Sequence, residues 1–247
     1  MAFCVNRRVG SQLLESYATM DPIRLVIFDI AGTIIEDHGE VLDAFSKALK
    51  GNGIAFTDAE MREWKGASKR EVIRHFVKRQ LGENPRGLEK IETTYGNFRN
   101  LLESHYRERG VSPIPGAHST FLWLRERNIE IATTTGFYRE LNDLILDQAN
   151  WKEMFRASIS SSDVPQGRPA PDMILRAMAL TGIANPAQVI NVGDTPLDLQ
   201  AGTNAGVRGV IGVLTGIHGR ERLEWETHTQ ILPSVAYLPT LIEKEYS

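Results

Sequence analysis

An aspartate lies at the end of the first apolar run in the chain. Leu25 to Phe28 are followed by Asp29 and then by a turn of small residues. In a parallel α/β sheet the carboxyl ends of the strands open onto the ligand crevice, so Asp29 would face a substrate as a nucleophile. Two residues later comes Ala31. Alanine cannot protonate the alkoxide that leaves an ordinary phosphate ester. Ala31 therefore raises the question of whether the substrate has a leaving group other than an alkoxide.

Three later segments carry polar residues that can act on a phosphoryl group. Thr135 and Gly136 provide a hydroxyl and backbone N–H groups for its oxygens. Arg168 provides a positive charge with directional donors. Asp194 and Asp198, four residues apart, could bind Mg²⁺ and orient its shell. These side chains would meet Asp29 if their strands lie beside the first.

The elements that must position these residues alternate between strand-like and helix-like patterns. This alternation predicts an α/β fold built on a doubly wound parallel sheet. The predicted strands are 25–28, 129–135, 188–192 and 207–213. The predicted helices are 40–49, 71–81, 88–108, 117–127, 138–149, 173–180 and 197–202.

One part of the chain departs from this alternation. Residues 58–109 are highly charged and rich in helix formers, with no convincing strand, and the Pro-rich segment 111–116 follows as a linker. We therefore predict a core formed by residues 21–36 and 113–247, with a helical insert at 37–112. Residues 1–20 are predicted to be an N-terminal extension, either disordered or reflecting a start at Met20 instead of Met1.

Composition narrows the classes of partner. The formal net charge of −3 offers no general attraction for nucleic acid or an anionic membrane, so we expect a small-molecule substrate. No apolar stretch approaches the roughly 20 residues that span a bilayer. The single cysteine, Cys4, excludes an intramolecular disulfide and fits a reducing compartment. We expect a protein of the cytoplasm.

Taken together, the four polar segments resemble the four motifs of the haloacid dehalogenase superfamily. Asp29, Thr135, Arg168 and the Asp194/Asp198 pair match those motifs in order, from about residue 21 to the C-terminus. The resemblance implies a core of that fold, an aspartyl-phosphate formed on Asp29, and Mg²⁺ as the cofactor. It implies that the metal is held by Asp29, the backbone carbonyl of Ala31, Asp194 and, as ligand or outer-sphere partner, Asp198.

Two of the motif residues point to one subgroup of that superfamily. Most of its phosphatases and mutases carry aspartate at the position of Ala31 and lysine at that of Arg168, whereas this chain resembles phosphonoacetaldehyde hydrolases and phosphonatase-like relatives. The helical insert is then a cap, through which a homodimer can form. Its segment 64–71 resembles the cap loop whose lysine forms a Schiff base, with Lys69 at the lysine position. Substrate-binding roles are implied for Ala31, Gly32, Thr33, Lys65, Gly66, Thr134 and Gly136.

The absence of an acid at Ala31 is consistent with an imine-forming role of Lys69. Cleavage of a C–P bond expels a carbanion, and an imine on Lys69 would accept its electrons as an enamine, so no acid is needed at position 31. Two departures weaken the match to the subgroup, because Lys65 stands in place of a methionine and Val72 in place of a histidine. Lys65 is the second candidate for the imine.

Other interpretations remain open at this point. A phosphatase or phosphomutase acting on a small phosphate ester would need another acid, and a haloacid dehalogenase would need no Mg²⁺, against the Asp194/Asp198 pair. A binding protein without catalytic activity would keep the fold and bind a phosphorylated metabolite without converting it. Asp198 could simply cap a helix, and Lys65, Lys69 and their basic neighbours could form a solvated helical face.

Overall fold

The protein folds as a six-stranded parallel sheet flanked by helices. The computed structural model describes residues 21–246, so the prediction made for residues 1–20 lies outside it. The strand order is β3-β2-β1-β4-β5-β6, and every neighbouring pair is parallel. The strands are β1 (Leu25–Phe28), β2 (Glu130–Thr135), β3 (Ala157–Ser160), β4 (Val189–Gly193), β5 (Gly209–Val213) and β6 (Gln230–Leu232). The predicted doubly wound α/β fold is confirmed.

Ten α-helices accompany the sheet in the described residues. Short 3-10 turns occur at Lys152–Met154, Pro186–Gln188 and Val235–Tyr237. The helices are α1 (Glu40–Gly51), α2 (Asp58–Glu63), α3 (Lys69–Leu81), α4 (Pro85–Arg109), α5 (Ala117–Glu126), α6 (Arg139–Gln148), α7 (Asp172–Thr181), α8 (Pro196–Asn204), α9 (Arg220–Glu224) and α10 (Leu238–Glu245). No helix in the described range is long and apolar enough to cross a membrane.

The central strand β1 is buried on both faces, as its continuous apolar sequence requires. Val26 and Phe28 belong to one hydrophobic cluster, while Leu25 and Ile27 belong to another on the opposite face. This split follows from the two-residue period of a strand. β1 lies between β2 and β4, where the strand order reverses, so its carboxyl end opens at the switch point of the sheet.

The four helices α1 to α4, which we call the helical insert, follow β1 in the chain before α5 begins. α1 and α3 both pack on α4, and the rings of Phe45 and Phe98 stack at 4.3 Å between centroids. The two connections to the sheet run side by side, because Glu36 donates its N–H to the Ser112 carbonyl at 2.8 Å. The division of the chain at residues 36 and 112 stays a prediction.

Local sequence explains where the predicted elements begin. α3 starts at Lys69, two residues before the predicted 71, and α4 starts at Pro85, because the Asn84 side chain accepts from the Gly87 N–H and proline suits the first helical turn. Two strands, β3 and β6, were not predicted. They have only four and three residues, so their conformation depends on pairing with β2 and β5 rather than on a readable pattern.

Candidate active site

Asp29 lies directly after β1 and is held against the neighbouring strand. Its backbone N–H donates to the Val192 carbonyl of β4 at 2.8 Å, and the residue is almost completely buried. The Arg168 Nη1 atom lies 2.7 Å from the Asp29 Oδ1 atom and 2.8 Å from the Asp198 Oδ1 atom. Its Nη2 atom donates to both the carbonyl and the hydroxyl of Thr134 at 2.8 Å. Arg168 therefore joins Thr134 of β2 to Asp29 and Asp198, which follow β1 and β4.

Three carboxylates converge at this edge of the sheet. The side chains of Asp29, Asp194 and Asp198 each place an oxygen within 4.8 Å of the other two. Burial raises the pKa of Asp194 well above its usual range, and the nearby Asp29 and Asp198 charges raise it further against the opposing effect of Lys65. Burial likewise raises the pKa of Asp198 to about 6. Such mutual repulsion is relieved when a divalent cation is bound.

The geometry around Asp194 fits a small hard cation. Among the described residues, its Oδ2 atom has no hydrogen-bond partner, although its Oδ1 atom accepts from the Thr33 hydroxyl at 3.2 Å. A Cβ atom added to Gly32 would lie 2.6 Å from that Oδ2 atom, and one added to Gly216 would lie 1.7 Å from it. Glycine at both positions lets the backbone come close to this oxygen without a clash, and carboxylate oxygens are the ligands that Mg²⁺ prefers.

Asp198 caps helix α8 and also faces the site. Its Oδ2 atom accepts from the backbone N–H and the hydroxyl of Thr195 in the capping box of α8. Its Oδ1 atom faces Arg168. Both Asp198 oxygens therefore already have partners, Thr195 for Oδ2 and Arg168 for Oδ1. This suits Asp198 to orienting Arg168 more than to binding a metal directly.

The loop from Trp64 to Ser68, which we call the insert loop, is seated on the carboxyl end of the sheet. Gly66 has a φ of +87°, and a Cβ atom there would lie 2.6 Å from the Thr195 hydroxyl oxygen. A Cβ atom on Gly136 would lie 2.4 Å from the Ala67 carbonyl oxygen. The Lys69 N–H also donates to the Gly136 carbonyl at 3.3 Å. Glycine at position 136 permits this close approach of the two backbones, and glycine at position 66 makes room for the Thr195 side chain.

Lys69, the first residue of α3, points into the site and is only 6% exposed. Its Nζ atom donates to the Ala67 carbonyl at 3.3 Å and lies 5.0 Å from the centre of the Phe137 ring. Burial lowers the pKa of Lys69 to about 8, although the charge of Asp29 opposes this effect. About a tenth of this amine is therefore neutral and nucleophilic at pH 7, far more than for a lysine in water.

Lys65 is also buried, at 8% exposure, but its surroundings have the opposite effect. Its Nζ atom lies 2.7 Å from the Asp37 Oδ2 atom and 3.9 Å from the Asp194 Oδ2 atom. Burial alone would lower the pKa of Lys65, but the charges of Asp194 and Asp37 outweigh it and the pKa is raised. Lys65 is therefore an ammonium ion, and Lys69 is the better nucleophile of the two.

A cavity of about 20 Å³ remains between the insert and the sheet, which is space for about one water molecule. A phosphonate or phosphate ester is larger than this space, so the site has to open before such a molecule can bind. The cavity is lined by Asp29, Ala31, Asp37, Val41, Lys65, Gly66, Lys69, Thr135, Gly136, Phe137 and Thr195.

The structure brings the sequence-predicted site residues together around this cavity. Thr135 and the Ala31 side chain line it directly, while Thr33 and Gly32 contact Asp194 from the side of the first turn. A solvated helical face is the wrong interpretation of Lys65 and Lys69. The basic neighbours of Lys69 in α3, Arg70 and Arg74, are indeed exposed.

Sequence reasoning missed three residues. Asp37 resembles an ordinary turn former, since its Oδ1 atom accepts from the Gly39 N–H at 2.9 Å. Phe137 resembles a core residue, and Gly216 one more loop glycine. The only readable signal was the position of Phe137 and Gly216 shortly after predicted strands, where side chains and loops meet the site.

Comparison with known proteins agrees with this arrangement. The family model described as haloacid dehalogenase-like hydrolase matches residues 26–213. The chain belongs to the haloacid dehalogenase-like hydrolases. It is 31% identical to a phosphonoacetaldehyde hydrolase of Parabacteroides distasonis, across 91% of this chain and 97% of that one.

Solved structures of this family share the fold at lower identity. A phosphonoacetaldehyde hydrolase-like protein from Oleispira antarctica superposes with a TM-score of 0.76 at 24% identity, covering 91% of this chain and 93% of its own. A beta-phosphoglucomutase from Clostridium difficile does so with a TM-score of 0.74 at 18% identity, covering 91% and 97%. The haloacid dehalogenase-like fold is thus shared by enzymes named for different reactions.

Proposed function

We propose that this hydrolase cleaves the C–P bond of phosphonoacetaldehyde or a closely related 2-oxoalkylphosphonate. The reaction uses an imine on Lys69, an aspartyl-phosphate on Asp29, and Mg²⁺ as cofactor. The observation that carries the proposal is the pairing of Ala31 with a buried Lys69 of lowered pKa in one cavity. The resemblance to phosphonoacetaldehyde hydrolases in sequence adds support.

The first stage makes the carbon atom able to leave. The neutral Lys69 amine adds to the aldehyde carbon, and loss of water gives a protonated imine. The Ala67 carbonyl and the Phe137 ring hold the Nζ atom, which restricts the direction from which the aldehyde can approach. The carbon that carries phosphorus is then adjacent to an electron acceptor.

The second stage transfers the phosphoryl group. The Asp29 carboxylate forms a bond to phosphorus while the C–P bond breaks, and that electron pair moves into the enamine of Lys69. Arg168, at 2.7 Å from Asp29, orients the nucleophile and offers donors to the phosphoryl oxygens. The methyl side chain of Ala31 needs to supply no proton, because no alkoxide forms.

The last stage restores the enzyme. Water hydrolyses the aspartyl-phosphate to free phosphate and Asp29, while the enamine takes up a proton on carbon and the resulting imine is hydrolysed to the aldehyde and Lys69. When bound, Mg²⁺ would screen the phosphoryl and carboxylate charges and stabilise charge on the transferred group. Asp29, Asp194 and the Ala31 carbonyl would hold it, with Asp198 orienting the site.

Two Lys69 variants test the imine directly. We expect Lys69→Arg and Lys69→Ala both to reduce phosphonate turnover by at least about 10³-fold, since neither side chain forms an imine and the non-acidic site offers no other route. Borohydride added during wild-type turnover should leave a reduced adduct on Lys69, located by peptide mass spectrometry. Wild-type turnover with no adduct on Lys69 or Lys65 would contradict the imine.

A phosphatase or phosphomutase acting on a small phosphate ester is the second candidate, because the fold is shared with a beta-phosphoglucomutase. In that case Lys69 would serve only as a phosphate-binding cation. Lys69→Arg would then keep most of the activity while Lys69→Ala would lose it. A parallel screen of phosphonoacetaldehyde and simple phosphate esters, with and without Mg²⁺, separates the two reactions.

A further inference from the structure

Lys65 occupies an unusual position, because a side chain of the insert reaches the carboxylate that is best suited to bind a metal. Its Nζ atom is 3.9 Å from the Asp194 Oδ2 atom, which is the oxygen without a hydrogen-bond partner among the described residues. Asp37 holds the same ammonium at 2.7 Å. The mechanism proposed above assigns no step to either residue of this pair.

We propose that Lys65 competes with the divalent cation for Asp194, and that Asp37 is the positioning residue that holds Lys65 there. The inference rests on the magnesium site of the proposed function, but not on which bond of the substrate is cleaved. Its consequence is that a residue outside the metal's own ligands sets the affinity of the site for the metal.

The Lys65 ammonium and the Asp194 carboxylate interact at short range. Asp194 and Lys65 are both buried, so the field of the ammonium is poorly screened by water. A cation that binds the Asp194 Oδ2 atom meets a positive charge that is already 3.9 Å from the same oxygen. Two cations sharing one carboxylate repel each other, so each weakens the binding of the other.

The position of Lys65 depends on how the insert is seated. Gly66, the next residue, packs against Thr195, and the following Ala67 carbonyl meets Gly136. These contacts bring Lys65 above Asp194 only while the insert loop lies on the sheet. Metal binding and seating of the empty insert therefore oppose each other, and an entering phosphoryl group would relieve the conflict because its oxygens can contact both cations.

Titration with Mn²⁺, a divalent probe of such oxygen sites, tests this without any turnover. The free ion is counted by electron paramagnetic resonance. We expect Lys65→Met to bind Mn²⁺ at least about fivefold more tightly than the wild type, the lower end of common coupling between neighbouring sites. The exposed insert lysine Lys47, paired with Asp43 at 2.8 Å, provides the matched control, and Lys47→Met should leave the affinity unchanged.

A double variant separates competition at Asp194 from a change in net charge. Lys65→Met alone leaves the Asp37 charge without its partner, whereas Lys65→Met combined with Asp37→Asn keeps the net charge of the pair. Tighter binding in the double variant supports competition for Asp194. Wild-type affinity in the double variant, or no gain in the single one, overturns the proposal.

A second variant and the wild-type affinity distinguish a failure of Lys65 from a failure of folding or of the metal site. If methionine beside Asp37 prevents folding, Lys65→Gln gives the same comparison with a polar side chain. A wild-type protein that binds no Mn²⁺ would count against the magnesium site itself, whereas binding that is unaffected by Lys65 counts only against the role of Lys65.

Discussion

The Lys69 side chain lies where its charged form is disfavoured, and this single property decides whether it can act as a nucleophile. Two lysines four residues apart reach the same cavity, yet burial dominates at Lys69 while the carboxylates of Asp37 and Asp194 dominate at Lys65. The sequence left the choice between them open. The difference arises from the partners of each ammonium group, which are distant in sequence.

The lowered pKa predicts how activity depends on pH. Lys69 has a pKa of about 8, so the neutral fraction rises with pH and is about a tenth at pH 7. We expect the rate of borohydride trapping to rise about tenfold per unit from pH 6 to 7, more slowly as pH nears 8, and to level off above it. Quenched samples taken from pH 6 to 9.5 measure this rate, with circular dichroism as the control for folding. A flat profile would argue against Lys69.

At the scale of elements, the site is enclosed by two parts of the fold, the insert loop and the carboxyl ends of the strands, which contact each other. The Lys69 N–H reaches the Gly136 carbonyl, and the Tyr138 hydroxyl at the start of α6 donates to the Glu103 side chain of α4 at 2.8 Å. Arg99 of α4 lies 3.3 Å from Glu140. These polar contacts add to an apolar one, because residues of the insert such as Phe45 and Phe98 belong to the same hydrophobic cluster as Val26 and Phe28 of β1.

Gly136 is the most sensitive point of that contact. Gly136→Ala would place a Cβ atom 2.4 Å from the Ala67 carbonyl oxygen, so we expect the insert loop to be displaced. Misplacement of catalytic groups by about 1 Å can cost about 10²-fold, and we expect a loss of kcat/KM of that size. Binding of Mn²⁺ should persist, because Asp29 and Asp194 lie on the sheet side.

A matched substitution within α4 serves as the control for Gly136→Ala. Gly96 has nothing within 4 Å of an added Cβ atom, and alanine there should stabilise the helix by about 1 kcal/mol without loss of activity. Steady-state kinetics and thermal denaturation of both variants make the comparison. Equal activity of the two variants would show that the seating of the insert loop is not required.

For the whole molecule, the cluster of buried carboxylates in the site lowers the stability of the folded state. Asp29, Asp194 and Asp198 are buried close together at the centre of the sheet edge, which raises the pKa of both Asp194 and Asp198. A ligand that binds only the folded state stabilises it by mass action, and a divalent cation also relieves the repulsion.

Metal binding should therefore be visible in thermal unfolding. At a hundredfold excess of Mg²⁺ over its Kd, we expect Tm to rise by about 5 to 10 °C for a chain of this size. Asp194→Asn should abolish the shift, because it removes the carboxylate whose Oδ2 atom is available. Differential scanning calorimetry with Mg²⁺ and with EDTA measures both. A full shift retained in Asp194→Asn would place the metal elsewhere.

The amino-acid sequence by itself determined the family, the α/β class and the residues at the strand ends. Asp29, Thr135 and Asp194 could be recognised because β1, β2 and β4 have readable patterns, and parallel strands present their carboxyl ends at one edge. Arg168 follows β3, which was not predicted, so it was recognised only through the match to the family motif. The helical nature of residues 58–109 followed from propensity in the same way. These properties are local, so the order of residues along the chain is enough to read them.

Only the tertiary structure decided what surrounds each of these groups. It placed Asp37 beside Lys65, Phe137 beside Lys69 and Gly216 beside Asp194, although no pattern in the chain links these pairs. It also determined which of the two lysines carries the lowered pKa. Burial and the distance to other charges set these properties, and both depend on segments that only folding brings together.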